Sequence, residues 1–332
     1  MCRGLLSIIL TAIVIAGLYI LWNPIGVTKS SGYDRGKNGI WLAHGWFGAD
    51  EWFVRYGKQD QIQRFREQAS IHRLTENLSQ QHIRDLFPHV APADSYGNLP
   101  ALDHSQVDQF LSSVQGMRVM PWVGGVIGKT VDPNSQEWRG TFIQSILALL
   151  ERHPQLSGVH VNIEPWPTGN KVLLDLLKQI KSEIPAGKLL SVAAYPPTTL
   201  LHPFPSIHWD ESYYKEVSVV VDQLVVMMYD TALQFNKLYQ YLMKKWTIEV
   251  LTWSQGADVL LGVPAYSDAV VGYHNPSVEN LDNALAGIQA GLSSFTDLPE
   301  HFQGVAIYSD WEMEPQEWRR WRTSYLGKAD YP

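Results

Sequence analysis

Cysteine is nearly missing from this chain: one residue, Cys2, stands in 332. That excludes an intramolecular disulfide and any zinc site built on cysteines. Charge is also scarce, at 18%, and cations are the rarer sign, with Lys+Arg 26 against Asp+Glu 33 and a net charge of −7. A surface that tracks phosphates needs a basic stripe, so nucleic acid is excluded as the main partner. No Gly-rich dinucleotide fingerprint follows the first strand-like run, and no G-x-S-x-G occurs. Rossmann-type cofactor binding and serine-hydrolase chemistry both lose their sequence basis. Apolar residues, by contrast, are abundant. They make up 45% of the chain and include 13 tryptophans, enough to bury a large core and to supply flat faces for a ligand.

The N-terminus is the one long uncharged stretch. No charge falls between Arg3 and Lys29, and Leu5 to Trp22 is almost continuously apolar. About 20 such residues in a helix cover the ~30 Å of hydrocarbon in a bilayer. A cleavable signal has a shorter apolar region followed by small residues, whereas this one ends in Tyr19, Leu21 and Trp22, then Asn23-Pro24. The expectation is a single-pass anchor over 1–24 and a linker over 25–37, with the rest of the chain (38–328) outside the cytoplasm. Cleavage near Gly26 and secretion is the alternative.

From residue 38 onward β-rich runs return every 30–45 residues. They begin at Gly39, His82, Arg118, Leu156, Lys188, Asp222, Val259 and Gly304. Segments of helical period separate them, such as Trp138 to Arg152 with Phe142, Ile143, Ile146, Leu149 and Leu150 on one side. Eight strands alternating with helices predict a (β/α)8 barrel in the α/β class, with an open doubly wound sheet as the alternative. Chemistry in such a barrel sits at the C-terminal strand ends. On the fourth strand, alternation puts His160, Asn162 and Glu164 on one face and Val159, Val161 and Ile163 on the other. The polar set points to the barrel axis, a costly placement unless those groups are partnered or useful.

These residues resemble glycoside hydrolase family 18, the chitinase-like barrels. Gly158-Val-His-Val-Asn-Ile-Glu164 is similar to that family's fourth-strand D-G-x-D-x-D-x-E. Val119-Met-Pro-Trp-Val-Gly-Gly125 resembles its third-strand S-x-G-G. Met227-Met-Tyr-Asp230 and Leu261-Gly-Val-Pro-Ala-Tyr266 look like its sixth- and seventh-strand motifs. The chain departs from the pattern where Ser157, His160 and Asn162 stand at the three aspartate positions. The pair Asn162-Ile-Glu164 resembles the Asn-x-Glu of the family 85 endo-β-N-acetylglucosaminidases.

The resemblance implies substrate-assisted hydrolysis of β-linked N-acetylglucosamine glycans, which needs neither protein nucleophile nor cofactor. Glu164 is then the acid/base, and Asn162 and Tyr229 position the acetamido group. Asp230, Trp311, Trp166, Trp122, Tyr266, Trp46 and His160 are the candidate sugar-binding residues, with Trp311 as the floor of the cleft. The competing class is a chitinase-like protein that binds carbohydrate and lacks the chemistry. A metal site on His160 and Glu164 is rejected, because four strand positions separate them by about 13 Å. His202 and His208 read equally well as cleft lining and as an ordinary packed loop after strand five.

Overall fold

The computed structural model describes residues 2–26, 32–200, 202–267 and 273–328, with the side chains of residues 2–6 set aside. Nine parallel strand segments form one sheet: β1 (Asn38–Leu42), β2 (Ile83–Pro88), β3 (Arg118–Val119), β4 (Trp122–Val126), β5 (Gly158–Glu164), β6 (Leu189–Ala194), β7 (Gln223–Met227), β8 (Asp258–Pro264) and β9 (Phe302–Tyr308). Their lateral order is β3-β2-β1-β9-β8-β7-β6-β5-β4. The two segments at the ends of that order are consecutive in the chain, and they are the halves of one strand broken at Met120-Pro121. Proline has no N–H to give the ladder, which accounts for a break at this point.

Hydrogen bonds cross the break on both sides. Met120 N donates to Leu86 O at 2.9 Å and Val90 N to Trp122 O at 2.8 Å. Ser157 N donates to Val119 O at 2.8 Å and His160 N to Pro121 O at 2.9 Å. The sheet therefore closes into the expected eight-stranded barrel, its third strand in two pieces.

The helices are α1 (Cys2–Leu21), α2 (Asp50–Arg55), α3 (Ile62–Arg66), α4 (Gln68–Gln80), α5 (His104–Ser113), α6 (Gln136–Arg152), α7 (Lys171–Glu183), α8 (Glu211–Ser218), α9 (Asn236–Trp253), α10 (Leu281–Leu292) and α11 (Pro315–Arg320). Local chemistry sets their ends. The Ser135 side chain accepts from Trp138 N at the start of α6, and Asn170 does the same for Leu173 N at α7. Each helix stops one or two residues before a proline, at His153-Pro154 and Ile184-Pro185. Helices α9 and α10 approach closely because two glycines allow it. A Cβ on Gly287 would meet Met243 Cβ at 2.5 Å, and one on Gly291 would meet Thr247 Cβ at 2.6 Å.

Inside the barrel, the lower layer is polar and fully paired. Arg118 and Arg84 both bind the buried Asp85 carboxylate, at 2.6 and 2.8 Å. Gln223 Nε2 donates to Asp85 at 2.7 Å, and Ser191 Oγ donates to Gln223 Oε1 at 2.7 Å. His160 Nδ1 meets Ser191 Oγ at 2.8 Å, and Trp41 Nε1 donates to His160 Nε2 at 3.2 Å. An unbroken chain thus runs from the N-terminal floor to mid-barrel.

The apolar N-terminal stretch is helical, as α1. Its described side chains begin at Ser7, and fifteen residues span only about 22 Å at 1.5 Å each. Among the described residues, no helix is long and apolar enough to cross a membrane. The expected membrane span is therefore not supported there; the side chains of Leu5 and Leu6 and residues 27–31 of the linker lie outside the described residues. The C-terminal end of α1 rests on α9: Lys237 Nζ donates to the carbonyls of Tyr19, Ile20 and Trp22 at 2.8–3.0 Å. Cations are favoured at a helix C-terminus.

Candidate active site

A cavity of about 400 Å³ opens at the C-terminal ends of the strands, within the range of small-ligand sites. Strand β5 delivers its polar residues by alternation, yet to different depths. Glu164, its last residue, faces the cavity, and Asn162 lines it one step below. His160 lies beneath, fully buried, where desolvation holds its imidazole neutral with a pKa pushed down to about 3. It braces Trp41 and does not line the cavity.

Burial raises the Glu164 pKa, and the charge of Asp230 adds to that effect. Two hydrogen bonds pull the other way. Asn162 Nδ2 donates to Oε1 at 3.0 Å, and Tyr195 OH donates to Oε2 at 3.1 Å. Both bonds favour the charged form. The balance leaves a carboxyl whose proton is retained above the ordinary carboxylate range, a property suited to a general acid. Asn162 Oδ1 is buried and has no protein donor.

Around this group Trp41, Trp122, Tyr229 and Tyr308 form an aromatic floor. Tyr229 and Tyr308 stack with ring centroids 5.4 Å apart and planes inclined by 19°. The loop between β6 and α8 supplies one wall through His202, Phe204, Ile207 and His208. His202 Nε2–H donates to Thr231 O at 2.8 Å. Burial lowers the pKa of both imidazoles, that of His208 to about 4.

Asp230, at the opposite side, is held in the left-handed region with φ 61°. It accepts from Tyr266 OH, and the buried His274 lies behind it, Nδ1 3.3 Å from Asp230 and 3.9 Å from Glu279. Burial opposes protonation of His274. The bond to Asp230 and the charge of Glu279 nevertheless carry its pKa above the ordinary value. Glu279 in turn accepts from Thr231 N at 2.9 Å, fixing the backbone beside Asp230. Asp230, His274 and Glu279 are the one group of three metal-capable side chains found among the described residues, with donor atoms within 4.8 Å. Their oxygens already accept from Tyr266 OH and Thr231 N.

The spore cortex-lytic enzyme SleL of Bacillus cereus superposes with a TM-score of 0.57 over 90% of this chain and 76% of its own, at 13% identity. A chitinase from Chromobacterium violaceum gives 0.56 over 86% and 98%, at 12% identity. A chitinase from Rhizomucor miehei gives 0.52 over 84% and 96%, at 14%. What is shared is the fold. No protein-family model matches the chain, and no curated protein matches it in sequence.

The structure brings together Glu164, Asn162, Tyr229, Asp230 and Trp122 of the candidates read from sequence. Tyr266 acts one step back, through Asp230. Three tryptophans do not line the cavity. Trp166 is buried behind β5, its Nε1 donating to Tyr213 OH at 2.6 Å. Trp46 belongs to a 3-10 turn (His44–Phe47) that ends β1 early. Its Nε1 donates at 3.1 Å to Asp310, a half-buried carboxyl whose pKa desolvation raises to about 7. Trp311 lies beyond the strand, 39% exposed, and Tyr308 occupies the floor instead. Sequence reading missed Trp41, Tyr308, His274 and Glu279. For the first two, strand alternation was the available signal; the last two sit around a loop that has no periodicity.

Proposed function

We propose that this chain is a glycoside hydrolase acting on β-linked glycans that contain N-acetylglucosamine, with the substrate's own acetamido group as nucleophile. The observation that carries the reading is Glu164: a half-buried carboxyl facing the cavity, its pKa raised and its orientation set by Asn162 and Tyr195. In the first step Glu164 gives its proton to the leaving glycosidic oxygen while the acetamido oxygen closes on the anomeric carbon. Asn162 and Tyr229 hold the acetamido group, Asp230 accepts from a ring hydroxyl, and the aromatic floor packs on the sugar's apolar face. In the second step Glu164, now a carboxylate, takes a proton from water as that water opens the oxazolinium ring. The Asn162-x-Glu164 pair aligns this mechanism with the family 85 pattern. The fold shared with the solved chitinases and SleL supports the substrate class.

The loss of acidic residues at Ser157, His160 and Asn162 favours a second reading, a cleft that binds glycans without cutting them. Matched substrates with a 2-acetamido or a 2-hydroxyl group separate the alternatives, with products followed by mass spectrometry. Cleavage confined to the acetamido series is expected. Equal cleavage of both would require a protein nucleophile, and binding without cleavage would establish the lectin-like reading.

For location, we propose membrane attachment through α1, with the barrel on the extracytoplasmic side. Ile8, Leu10, Ile13, Leu18 and Ile20 are each more than 60% exposed, an apolar surface that water disfavours. Release of the full chain from membranes by alkaline carbonate would rule this out.

A further inference from the structure

The carboxyls of Glu164 and Asp230 face the cavity, and among the described residues that line it there is neither Lys nor Arg. Glu279 stands behind Asp230, and His274, set between them, is the single basic side chain beside these two acids among the described residues. The opposite wall is uncharged: His202 and His208 are held neutral by burial, beside Phe204 and Ile207. Like charges in a partly closed, low-dielectric space repel more strongly than on an open surface.

We infer that the site selects uncharged acetamido glycans and rejects chains whose sugars carry a carboxylate, such as lactyl ethers or uronic acids. The sugar beyond the scissile bond packs on the Phe204–Ile207 wall, where no cation is placed to receive an acid. This inference rests on the glycosidase reading above and narrows its substrate.

The test uses the full-length Glu164→Gln protein, so that binding is read without turnover. Titration calorimetry compares a neutral N-acetylglucosamine tetramer with a tetramer of the same linkage whose alternate units carry a lactyl carboxylate. A methyl-esterified form of the acidic chain separates charge from bulk. At low salt the neutral chain should bind about tenfold or more tightly, and the ester should recover most of that affinity. Raising the ionic strength should narrow the gap, because screening weakens repulsion. Adding Asp230→Asn should narrow it too.

Phe204→Ala, at a half-exposed position, should weaken the neutral tetramer severalfold without changing the unfolding temperature. Equal affinity for the neutral and acidic chains, or an ester that binds as poorly as the acid, overturns the selectivity and leaves the hydrolase reading standing. Failure of every tetramer to bind overturns both.

Discussion

The floor and the mouth of this barrel are built from similar polar residues but to different standards. At the floor, Asp85 receives two arginines and a glutamine, and every hydrogen bond from Trp41 down to that carboxylate is made. At the mouth, two residues lining the cavity keep buried atoms without a partner, Asn162 Oδ1 and His202 Nδ1. Unpaired buried polar atoms cost free energy, and a protein tolerates them where a ligand completes the pairing. The floor is organised for stability and the mouth for recognition, and substitutions should divide along the same line.

The largest effect should come from Glu164→Gln. It is expected to lower kcat about 10³-fold or more, within the range of general acid–base catalysis. The thermal midpoint should be unchanged or higher, since an ionisable group leaves a buried site. A lowered midpoint with residual activity would erase the division between the two regions.

Asp85→Ala is the mirror experiment. It leaves Arg84 and Arg118 without their carboxylate and should destabilise the fold by about 3–5 kcal/mol, read from the urea midpoint. The folded fraction should keep its affinity for glycan. Asn162→Ala should reduce kcat about 10²-fold, the scale of one oriented contact made in the transition state, with little change in stability.

The smallest effect concerns pH. Glu164 works as an acid only while protonated, so activity should fall as pH rises through its elevated pKa. Tyr195 donates to the charged form; Tyr195→Phe removes that support and should move the alkaline limb of the profile upward by about one unit. A shift to lower pH would mean that Tyr195 does not hold the carboxylate.

Much of the architecture is legible in the sequence. The spacing of the β-rich runs and the helical period from Trp138 to Arg152 are local signals, and the structure follows them closely. The inward face of β5 was readable for the same reason, since alternation along one strand fixes which side chains travel together. What was not readable depends on where a strand stops. The run from Gly39 reads on to Trp46, but a 3-10 turn intervenes at His44, where Gly45 lies so near Phe65 that a Cβ would sit 2.2 Å from its ring. That early stop makes Trp41 the cavity residue and sends Trp46 to Asp310. On the neighbouring parallel strand β9 terminates at Tyr308, and the more conspicuous Trp311 falls outside the cavity. His274 and Glu279 meet Asp230 only through folding of the segment between β8 and α10, which carries no periodic pattern to predict it.

The buried chain beneath the cavity also governs how the site is supplied with protons. Its uppermost member is the Trp41 indole, whose N–H donates downward to His160. An indole nitrogen is a donor only, so it cannot pick up a proton from below and pass it on. The chain is closed at its top, like a one-way fitting, and nothing acidic at the floor can recharge Glu164 through it. In the proposed mechanism Glu164 recovers its proton from the water that opens the oxazolinium ring, and that water must enter by the same opening that admits the sugar.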